Sequence, residues 1–300
     1  MHVVVSGSRG LVGSALVPFL TTGGHRVTRL VRDSLANSDE TAWNPSRGLT
    51  EPSRFDGVDA VVHLAGENIA AGRWTPARKA GIRQSRVEGT HSLCESLARL
   101  AHPPKLLVSA SAIGFYGDRG AQTLTEESGA GSGFLPDVCR EWEAATEPAS
   151  QAGVRVVNLR FGMVLSPAGG ALQKMLPPFK LGLGGRIGSG AQFMSWIAID
   201  DAVGAIHQAL SAESLRGPVN AVAPTPVTNA EFARTLARIL RRPAFMPVPQ
   251  FAARLAFGEM ADALLLASAR VMPVRLQESG YHFRFPELEG ALRHMLRRVE

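Results

Sequence analysis

The stretch that decides the fold reads VVVSGSRGLVG, from Val3 to Gly13. Its valines have the β-branched, wholly apolar pattern of a buried strand, and the apolar segment after the stretch has the pattern of a helix. Between them lies a G-x-x-G-x-x-G turn. In a β-α-β unit the first glycine permits the tight bend, the second admits a pyrophosphate, and the third lets the helix pack on the strand. The predicted dinucleotide-binding residues here are Gly7, Gly10, Leu11, Val12 and Gly13.

The flanks of this turn separate it from a chance glycine triplet. A helix N-terminus presents unpaired N–H groups and a positive dipole end to a phosphate. The alternative is a tight strand-to-helix turn that binds no ligand, and the strand before it and the helix after it both disfavour that alternative.

The next predicted strand indicates which cofactor is bound. It covers residues 26–31 and is followed by Arg32. An acidic residue at this strand end holds the ribose 2′-hydroxyl of NAD, whereas an arginine suits the 2′-phosphate of NADP. We therefore predict NADP(H), with Arg32 as the discriminating residue. Arg9 is a second candidate cation or else a solvated loop arginine, and Asp33 would serve a ribose if the strand ended later.

Alternating apolar runs and helical patterns predict a parallel sheet covered by helices. The predicted strands are residues 2–6, 26–31, 58–64, 105–110 and 154–160. The predicted helices are residues 11–22, 76–100, 134–151, 170–181, 229–241, 251–270 and 287–298. The fold class is therefore α/β, a Rossmann-type doubly wound parallel sheet with a smaller, mainly helical C-terminal lobe.

Three regions follow from this pattern. Residues 1–165 form the predicted NADP-binding Rossmann domain, to which later segments return as added strands. Residues 166–250 form the predicted substrate lobe, and residues 251–300 a small C-terminal helical domain. Within the substrate lobe, the glycine-rich segment 182–190 is either a flexible linker or a turn packed on the body, and Leu183 and Ile187 favour the packed turn.

The composition excludes several classes of protein. The chain has 300 residues, of which 45% are hydrophobic and 19% charged, as in an ordinary globular protein. Its net charge of +6 is spread without a Lys/Arg block, so no nucleic-acid partner is predicted. Cys94 and Cys139 lack metal or disulfide spacing, which predicts no metal and a reducing compartment. With no signal peptide and no membrane-spanning run, the sequence predicts a soluble, cytoplasmic protein without a membrane partner.

The end of predicted strand 58–64 is a second candidate cofactor contact. Its last residues are followed by Ala65, Gly66 and Glu67. Because Ala65 and Gly66 are small, the backbone there can pass close to the adenosine half of the cofactor. His63 lies within the strand and is predicted to be a packed core histidine rather than a ligand.

Longer motifs carry a family resemblance over the whole chain. They include Leu64-Ala-Gly-Glu-Asn-Ile69, Ser109-Ala-Ser111 leading to Phe115-Tyr-Gly-Asp118, Trp142-Glu-Ala-Ala145, Arg160-Phe-Gly162 and Ser195-Trp-Ile-Ala-Ile-Asp-Asp201. With these motifs the sequence resembles the extended short-chain dehydrogenase/reductases, in particular their atypical, sugar-nucleotide-epimerase-like branch. The tail, from Phe257-Gly-Glu-Met260 to Leu292, is similar to the small C-terminal domain of that branch.

The resemblance implies a catalytic serine and a Tyr-x-x-x-Lys pair, in which lysine lowers the pKa of the tyrosine for proton exchange. The pair is missing: aligning Glu143 with the family places Leu135 at the tyrosine position and Cys139 at the lysine position. Ser111 fits the serine position if the segment before Tyr116 is one residue longer here than in the family. Tyr116 is an alternative acid, although the resemblance favours a pocket-shaping role for it.

The resemblance also adds Ser109 and Arg160 to the cofactor-binding candidates. Arg160 follows a predicted strand and either faces the cleft, holding the cofactor or an acidic substrate group, or forms a buried ion pair. The resemblance also leads us to expect a homodimer that pairs through helices 76–100 and 134–151. In the alternative, Trp142 and Leu135 on these helices are internal core residues and contact no partner subunit.

Two functional hypotheses follow. The first is an NADP(H)-dependent oxidoreductase or epimerase acting on a nucleotide sugar or another small carbonyl compound. The second is an NADP(H)-binding regulatory protein with little or no turnover, motivated by the missing Tyr-x-x-x-Lys pair. Plant relatives in this branch are linked to organelle division, which the resemblance permits for this chain.

Overall fold

The computed structural model describes residues 1–32 and 39–297. Its strands are β1 (His2–Ser6), β2 (Arg26–Val31), β3 (Glu40–Asn44), β4 (Gly48–Leu49), β5 (Ala60–His63), β6 (Leu106–Ala112), β7 (Thr123–Leu124), β8 (Arg155–Phe161), β9 (Met163–Leu165), β10 (Phe193–Met194), β11 (Trp196–Ala198), β12 (Gly217–Ala221), β13 (Val227–Thr228) and β14 (Arg270–Val271). Its helices are α1 (Leu11–Thr22), α2 (Pro76–Ala98), α3 (Phe134–Ala144), α4 (Glu147–Gln151), α5 (Gly170–Lys180), α6 (Ile199–Ser211), α7 (Asn229–Leu240), α8 (Gln250–Phe257), α9 (Val274–Glu278) and α10 (Leu288–Arg297).

The main sheet has eight strands in the order β12-β8-β6-β5-β1-β2-β3-β4. All neighbours are parallel except β3 and β4, which are antiparallel. The order reverses between β1 and β5, and in open parallel sheets ligands bind beyond the carboxyl ends of the strands at such a switch point. The predicted α/β fold is thus confirmed, and its switch point lies beside the glycine turn.

Helices cover both faces of this sheet. On one face, the side chains of β1, β5, β6 and β8 pack with α1 and α6 around Leu16 and Ile206. On the other face, Trp43 of β3 packs in one core with Leu93 and Leu97 of α2. Strands that carry apolar side chains on both faces are therefore buried on both, as a doubly wound sheet requires.

A second lobe follows the sheet and is built mainly from α5, α7 and α10. Their apolar faces meet around Phe179, Phe232 and Leu292. The segment after α9 is tied to α6 by Asp201, whose carboxylate accepts hydrogen bonds from the Tyr281 hydroxyl and two backbone N–H groups. None of the helices in residues 1–32 and 39–297 is long and apolar enough to cross a membrane.

Two predicted helices differ from the structure. Residues 134–151 form two helices, α3 and α4, which are separated at Ala145 and Thr146. Residues 251–270 do not form one helix, because α8 ends at Gly258 with a φ of +61°, a conformation that favours glycine. Arg270 and Val271 pair with β7 as strand β14 instead, a non-local contact that no local pattern indicates.

Candidate functional site

Each of the three turn positions carries glycine for a different structural reason. Gly7 has a φ of +66°, and a Cβ there would lie 2.7 Å from the Leu64 carbonyl carbon and oxygen. A Cβ on Gly13 would overlap the Gly7 carbonyl oxygen, so α1 can pack on β1 only with glycine at this position. A Cβ on Gly10 would meet the Gly7 oxygen alone, at 3.2 Å. Gly10 is thus the least constrained by packing, which leaves room there for a ligand's phosphate.

The N-terminus of α1 suits a pyrophosphate. Gly10 is its N-cap, no side chain caps the helix, and its first turn contains no acidic residue. The first N–H groups of a helix have no intrahelical partner, and together with the helix dipole they bind anions. The structure of the turn therefore fits the phosphates of a dinucleotide at Gly10, Leu11 and Val12.

Two arginines lie near the expected adenosine ribose. Arg32 is exposed directly after β2. The side chain of Arg9 is 69% exposed, and it contacts the buried Glu40 Oε1 at 3.3 Å. Both guanidinium groups are accessible to a phosphate, and Glu40 orients Arg9 from the start of β3. Asp33, the competing ribose ligand, lies outside the described residues.

His63 is a core histidine at the end of β5. Its Nδ1 lies 2.7 Å from Ser6 Oγ, and its ring contacts Trp43 edge-on at 5.5 Å between centroids. Burial lowers the pKa of His63 to about 4, so the ring is neutral at physiological pH. A neutral ring in the sheet supports the strand end rather than carrying charge to a ligand.

The segment after β5 passes beneath a cation. A Cβ on Gly66 would lie 3.4 Å from the Arg86 guanidinium carbon, and Arg86 Nη2 donates to the Glu67 carbonyl oxygen at 2.9 Å. The Glu67 carboxylate accepts a hydrogen bond from Arg78 Nη1. Ala65 and Glu67 are half-buried and Gly66 is exposed, and the segment lies at the carboxyl end of β5, beside the glycine turn.

A polar network lies where β6 and β8 end. Ser111 and Arg160 are register partners on these two strands, and both contact Glu143 of α3. Ser111 Oγ donates to Glu143 Oε1 at 2.7 Å, while Arg160 Nε and Nη2 donate to the two carboxylate oxygens at 2.7 Å each. Burial alone would lower the pKa of Arg160, but the hydrogen bonds to Glu143 more than offset this effect and raise it.

This geometry assigns Arg160 to the ion-pair alternative. Its Nη1 donates to the Tyr116 hydroxyl at 3.0 Å, and its guanidinium carbon lies 3.5 Å from the Phe115 ring centroid. The side chain is 4% exposed. Because each guanidinium nitrogen bonds a protein oxygen and one face lies against Phe115, the structure favours the ion pair for Arg160, and a cofactor contact stays a prediction.

Tyr116 belongs to the same network. Its side chain is fully buried, and its hydroxyl donates to Asn220 Oδ1 at 2.7 Å while accepting from Arg160. Burial raises the pKa of Tyr116, and the contacts with Arg160 oppose this shift only in part. This arrangement favours the pocket-shaping role over the alternative of a proton donor, since the hydroxyl is directed away from solvent.

Leu135 and Cys139 face the end of β6, as expected for the positions of the missing pair. A Cβ on Gly114 would lie 3.5 Å from Leu135 Cβ and 3.7 Å from Cys139 Sγ. Burial raises the pKa of Cys139 to about 12, which leaves a neutral thiol. The described groups at these positions therefore include neither a phenol nor an ammonium. Ser109 is fully buried within β6, two residues before Ser111.

The structure also adds residues that sequence reasoning missed. The sequence assigns Glu143 no contact of its own, yet its carboxylate accepts hydrogen bonds from both Ser111 and Arg160. Asn220, on β12, accepts from Tyr116 and donates to the Met272 carbonyl oxygen, and Glu40 pairs with Arg9. Glu143 follows Ser111 by 32 residues and Asn220 follows Tyr116 by 104, so only the tertiary fold reveals these pairs.

A doubly wound parallel sheet with a glycine turn and an uncapped helix at its switch point defines a dinucleotide-binding protein of the Rossmann type. The chain belongs to the NAD dependent epimerase/dehydratase family, whose model matches residues 3–221. Residues 248–295 match a further model described as a domain of unknown function, DUF1731. The resemblance to the extended branch with a small C-terminal domain is thereby confirmed.

Individual proteins of the same family are similar to this chain over nearly its whole length. Epimerase family protein Mb2239 of Mycobacterium bovis is 46% identical over 290 residues, covering 97% of this chain and 96% of the relative. The crystal structure of human epimerase family protein SDR39U1 with NADPH matches at a TM-score of 0.91 and 37% identity, with 99% of each chain covered. A nucleoside-diphosphate sugar epimerase from Corynebacterium glutamicum matches at a TM-score of 0.81 and 41% identity, covering 99% of this chain and 58% of that one.

Proposed function

We propose that this protein binds NADP(H) and acts as an epimerase-like oxidoreductase on a nucleotide sugar or another small carbonyl compound. The observation that carries the proposal is the turn from Gly7 to Gly13, whose glycines are required by packing or left open for phosphate. The human relative crystallised with NADPH supports the cofactor, and the Corynebacterium relative supports the substrate class.

The cofactor would be held from two sides. The N–H groups at the start of α1 would bind the pyrophosphate, and Arg9 and Arg32 would bind the 2′-phosphate as charge-assisted donors. Ala65, Gly66 and Glu67 would border the adenosine half, and Ser109 would support the strand beneath the nicotinamide end. NADPH would supply a hydride, and every proton would come from protein groups or water.

Ser111 is our candidate catalytic residue. Its hydroxyl donates to Glu143, and no described group donates to its oxygen, so this side chain, although only 3% exposed at the end of β6, can still accept a hydrogen bond from a substrate hydroxyl. Glu143 is fixed by Arg160 and acts as a positioning residue. Tyr116 completes the network through Arg160 and Asn220, and we assign it to shaping this pocket.

A screen of NADPH oxidation against carbonyl compounds, and of epimerisation of nucleotide sugars, tests the proposal. Any turnover should fall by about 10²-fold or more in Ser111→Ala, because removing one positioned hydrogen-bonding group from an active site typically costs at least that much. Ser211→Ala is the matched control, since Ser211 is exposed at the end of α6. Turnover that survives in Ser111→Ala would remove Ser111 from the chemistry.

The second candidate function is an NADP(H)-binding regulatory protein with little turnover, for example one linked to cell or organelle division. Leu135 and Cys139, packed beside Gly114, favour it because neither can exchange a proton at neutral pH. NADPH binding combined with a flat substrate screen would support this candidate over the enzyme.

The location and assembly of the chain are also proposals. Cys94 and Cys139 are both free and buried, which supports a reducing, cytoplasmic location. A homodimer through α2 and α3 remains a prediction. Trp142 does not serve as an exposed contact, because it is buried and its indole N–H donates to Thr90.

A further inference from the structure

The C-terminal lobe carries a ridge of apolar side chains that protrude into solvent. Leu181, Phe245 and Leu255 are each 74% exposed, and Phe251 is 72% exposed. We define the apolar ridge as these four residues together with Leu183 and Met246. Large apolar side chains scattered singly over a surface need no explanation, but a contiguous set marks an interaction site.

The ridge is continuous because two segments of the chain run side by side. The Val248 amide donates to the Arg186 carbonyl oxygen at 2.8 Å, and the Gly188 amide donates to the Val248 carbonyl oxygen at 2.9 Å. A Cβ on Gly182 would lie 3.3 Å from Pro243. These contacts place Leu181 and Leu183 beside Phe245 and Met246 at one end of the ridge.

Helix α8 extends the ridge at its other end. It begins at Gln250, two residues after the strand-like pairing of Ile187 with Val248. Phe251 and Leu255 are four residues apart, so they lie one above the other on the same helix face. Their exposure shows that this face is outermost, while Ala253 of the same helix is buried.

Most charged residues around the ridge are cations, and the two acidic residues that follow α8 are paired, Asp262 with Arg254 and Glu259 with Lys79. Residues 163–199 and 232–258 contain no Asp or Glu, whereas they carry Lys174, Lys180, Arg186, Arg234, Arg238, Arg241, Arg242 and Arg254. Lys180, Arg186, Arg241 and Arg242 are exposed next to the ridge segments. Within the part of the chain that the structure describes, none of these four forms an ion pair with an acidic residue.

We propose that this surface binds an anionic phospholipid membrane peripherally. The protruding Phe and Leu side chains would enter the boundary between headgroups and acyl chains, and the flanking cations would meet lipid phosphates. A second copy of the chain fits less well, because a two-fold contact on the ridge would bring the unpaired cations of both copies together.

This inference is independent of the proposed function, since none of its residues belongs to the cofactor site or the Ser111 network. The sequence predicts no membrane partner because it has no segment of membrane-spanning length, whereas binding to a membrane surface requires only protruding apolar side chains beside cations.

Co-sedimentation of the full-length protein with lipid vesicles tests the inference. The protein should pellet with phosphatidylcholine vesicles that contain phosphatidylglycerol and remain in solution with phosphatidylcholine alone. The variant Phe251→Ser/Leu255→Ser should lose at least about tenfold in affinity, as should Arg241→Glu/Arg242→Glu. Phe19→Ser is the matched control, because Phe19 is exposed on α1, outside the ridge.

Several results would overturn the inference. They are failure to pellet with the anionic vesicles, equal pelleting of wild type and Phe251→Ser/Leu255→Ser, and a loss of binding in Phe19→Ser as large as in the ridge variant. A dimer that the ridge variant abolishes, without vesicle binding, would assign the surface to a second copy. Capture of an acidic protein without vesicle binding would assign it to a protein partner. If the ridge variant fails to fold, judged by circular dichroism, the variant Arg241→Glu/Arg242→Glu decides.

Discussion

Glu143 and Arg160 form a largely buried ion pair through two hydrogen bonds of 2.7 Å, and the same carboxylate accepts a hydrogen bond from the Ser111 hydroxyl. The pair lies beside the positions where the family usually has tyrosine and lysine. A bidentate pair is geometrically specific, so it fixes the side chain of Glu143 and, through it, the rotamer of Ser111. The charged pair of Glu143 and Arg160 at this end of the sheet therefore has a structural role.

Removing one member of this pair should be costly. Glu143→Ala leaves the buried guanidinium of Arg160 without its counter-charge, which should lower the free energy of unfolding by about 3–5 kcal/mol. Asp137→Asn, which breaks the exposed pair with Arg140 on the same helix, is the control and should cost less than about 1 kcal/mol. Urea denaturation measures both, and equal effects would contradict the structural role of the Glu143 pair.

The glycine turn should separate stability from cofactor affinity. Gly13→Ala places a Cβ on the Gly7 carbonyl oxygen, so it should destabilise the fold by about 1–3 kcal/mol. Gly10→Ala should cost less than about 1 kcal/mol, yet weaken NADPH binding at least about tenfold by obstructing the phosphate. Gly129→Ala, where a Cβ has no neighbour within 4 Å, controls for the substitution itself. A Gly10→Ala protein that binds NADPH normally would remove the phosphate from this position.

Acid should destabilise the protein through His63. Burial lowers the pKa of His63 to about 4 from its ordinary value of 6.5, so folding favours the neutral ring. Its contribution is fully present above pH 6.5 and is lost as the pH falls toward 4, by about 3 kcal/mol. In denaturant titrations at several pH values, His63→Gln should show a shallower loss, while the exposed control His91→Gln should follow wild type. Equal slopes for His63→Gln and wild type would contradict a neutral, buried ring.

Both cysteines should be unreactive in the folded protein. Burial raises the pKa of Cys94 and of Cys139 to about 12 from the ordinary value of 9.0. Since the thiolate is the reactive form, 5,5′-dithiobis(2-nitrobenzoate) at pH 8 should label neither until the protein is unfolded. The neutral thiols contribute stability that is complete below pH 9 and is lost as the pH rises toward 12. Rapid labelling of one thiol in the native state would contradict this, and Cys139→Ser would identify the residue.

Much of the fold could be predicted from local patterns. The predicted limits agree with the structure for the strands at residues 2–6 and 26–31 and the helix at residues 11–22, because both strands are rich in β-branched residues and glycines bound the helix. Strand β3 was missed because Glu40-Thr-Ala-Trp-Asn44 mixes polar and apolar residues, and the strand is recognisable only from its pairing with β2. The break after α8 was missed because a single glycine inside an apolar helical pattern is tolerated in many helices, and here Gly258 adopts a positive φ that ends the helix.

The site was predictable to a different degree at its two ends. The cofactor end is one continuous motif, so Gly7, Gly10 and Gly13 could be assigned from spacing. The opposite end is assembled from β6, α3, β8 and β12, and the partner that satisfies each buried group cannot be read from spacing. Arg160 illustrates this limit, since a strand-end arginine has the same sequence pattern whether it faces a ligand or a buried Glu143.

The most direct test of the central claim, that this chain holds NADP(H) at the glycine turn, is a fluorescence titration of the purified protein with NADPH and with NADH. NADPH should bind at least about tenfold more tightly, since a charge-assisted contact to the 2′-phosphate contributes about 1.5–3 kcal/mol. Arg32→Ala should lose most of that preference, with the remainder due to Arg9, and Arg26→Ala, exposed at the start of β2, should keep it. Equal affinity for the two cofactors, or tighter binding of NADH by the wild-type protein, would contradict the account.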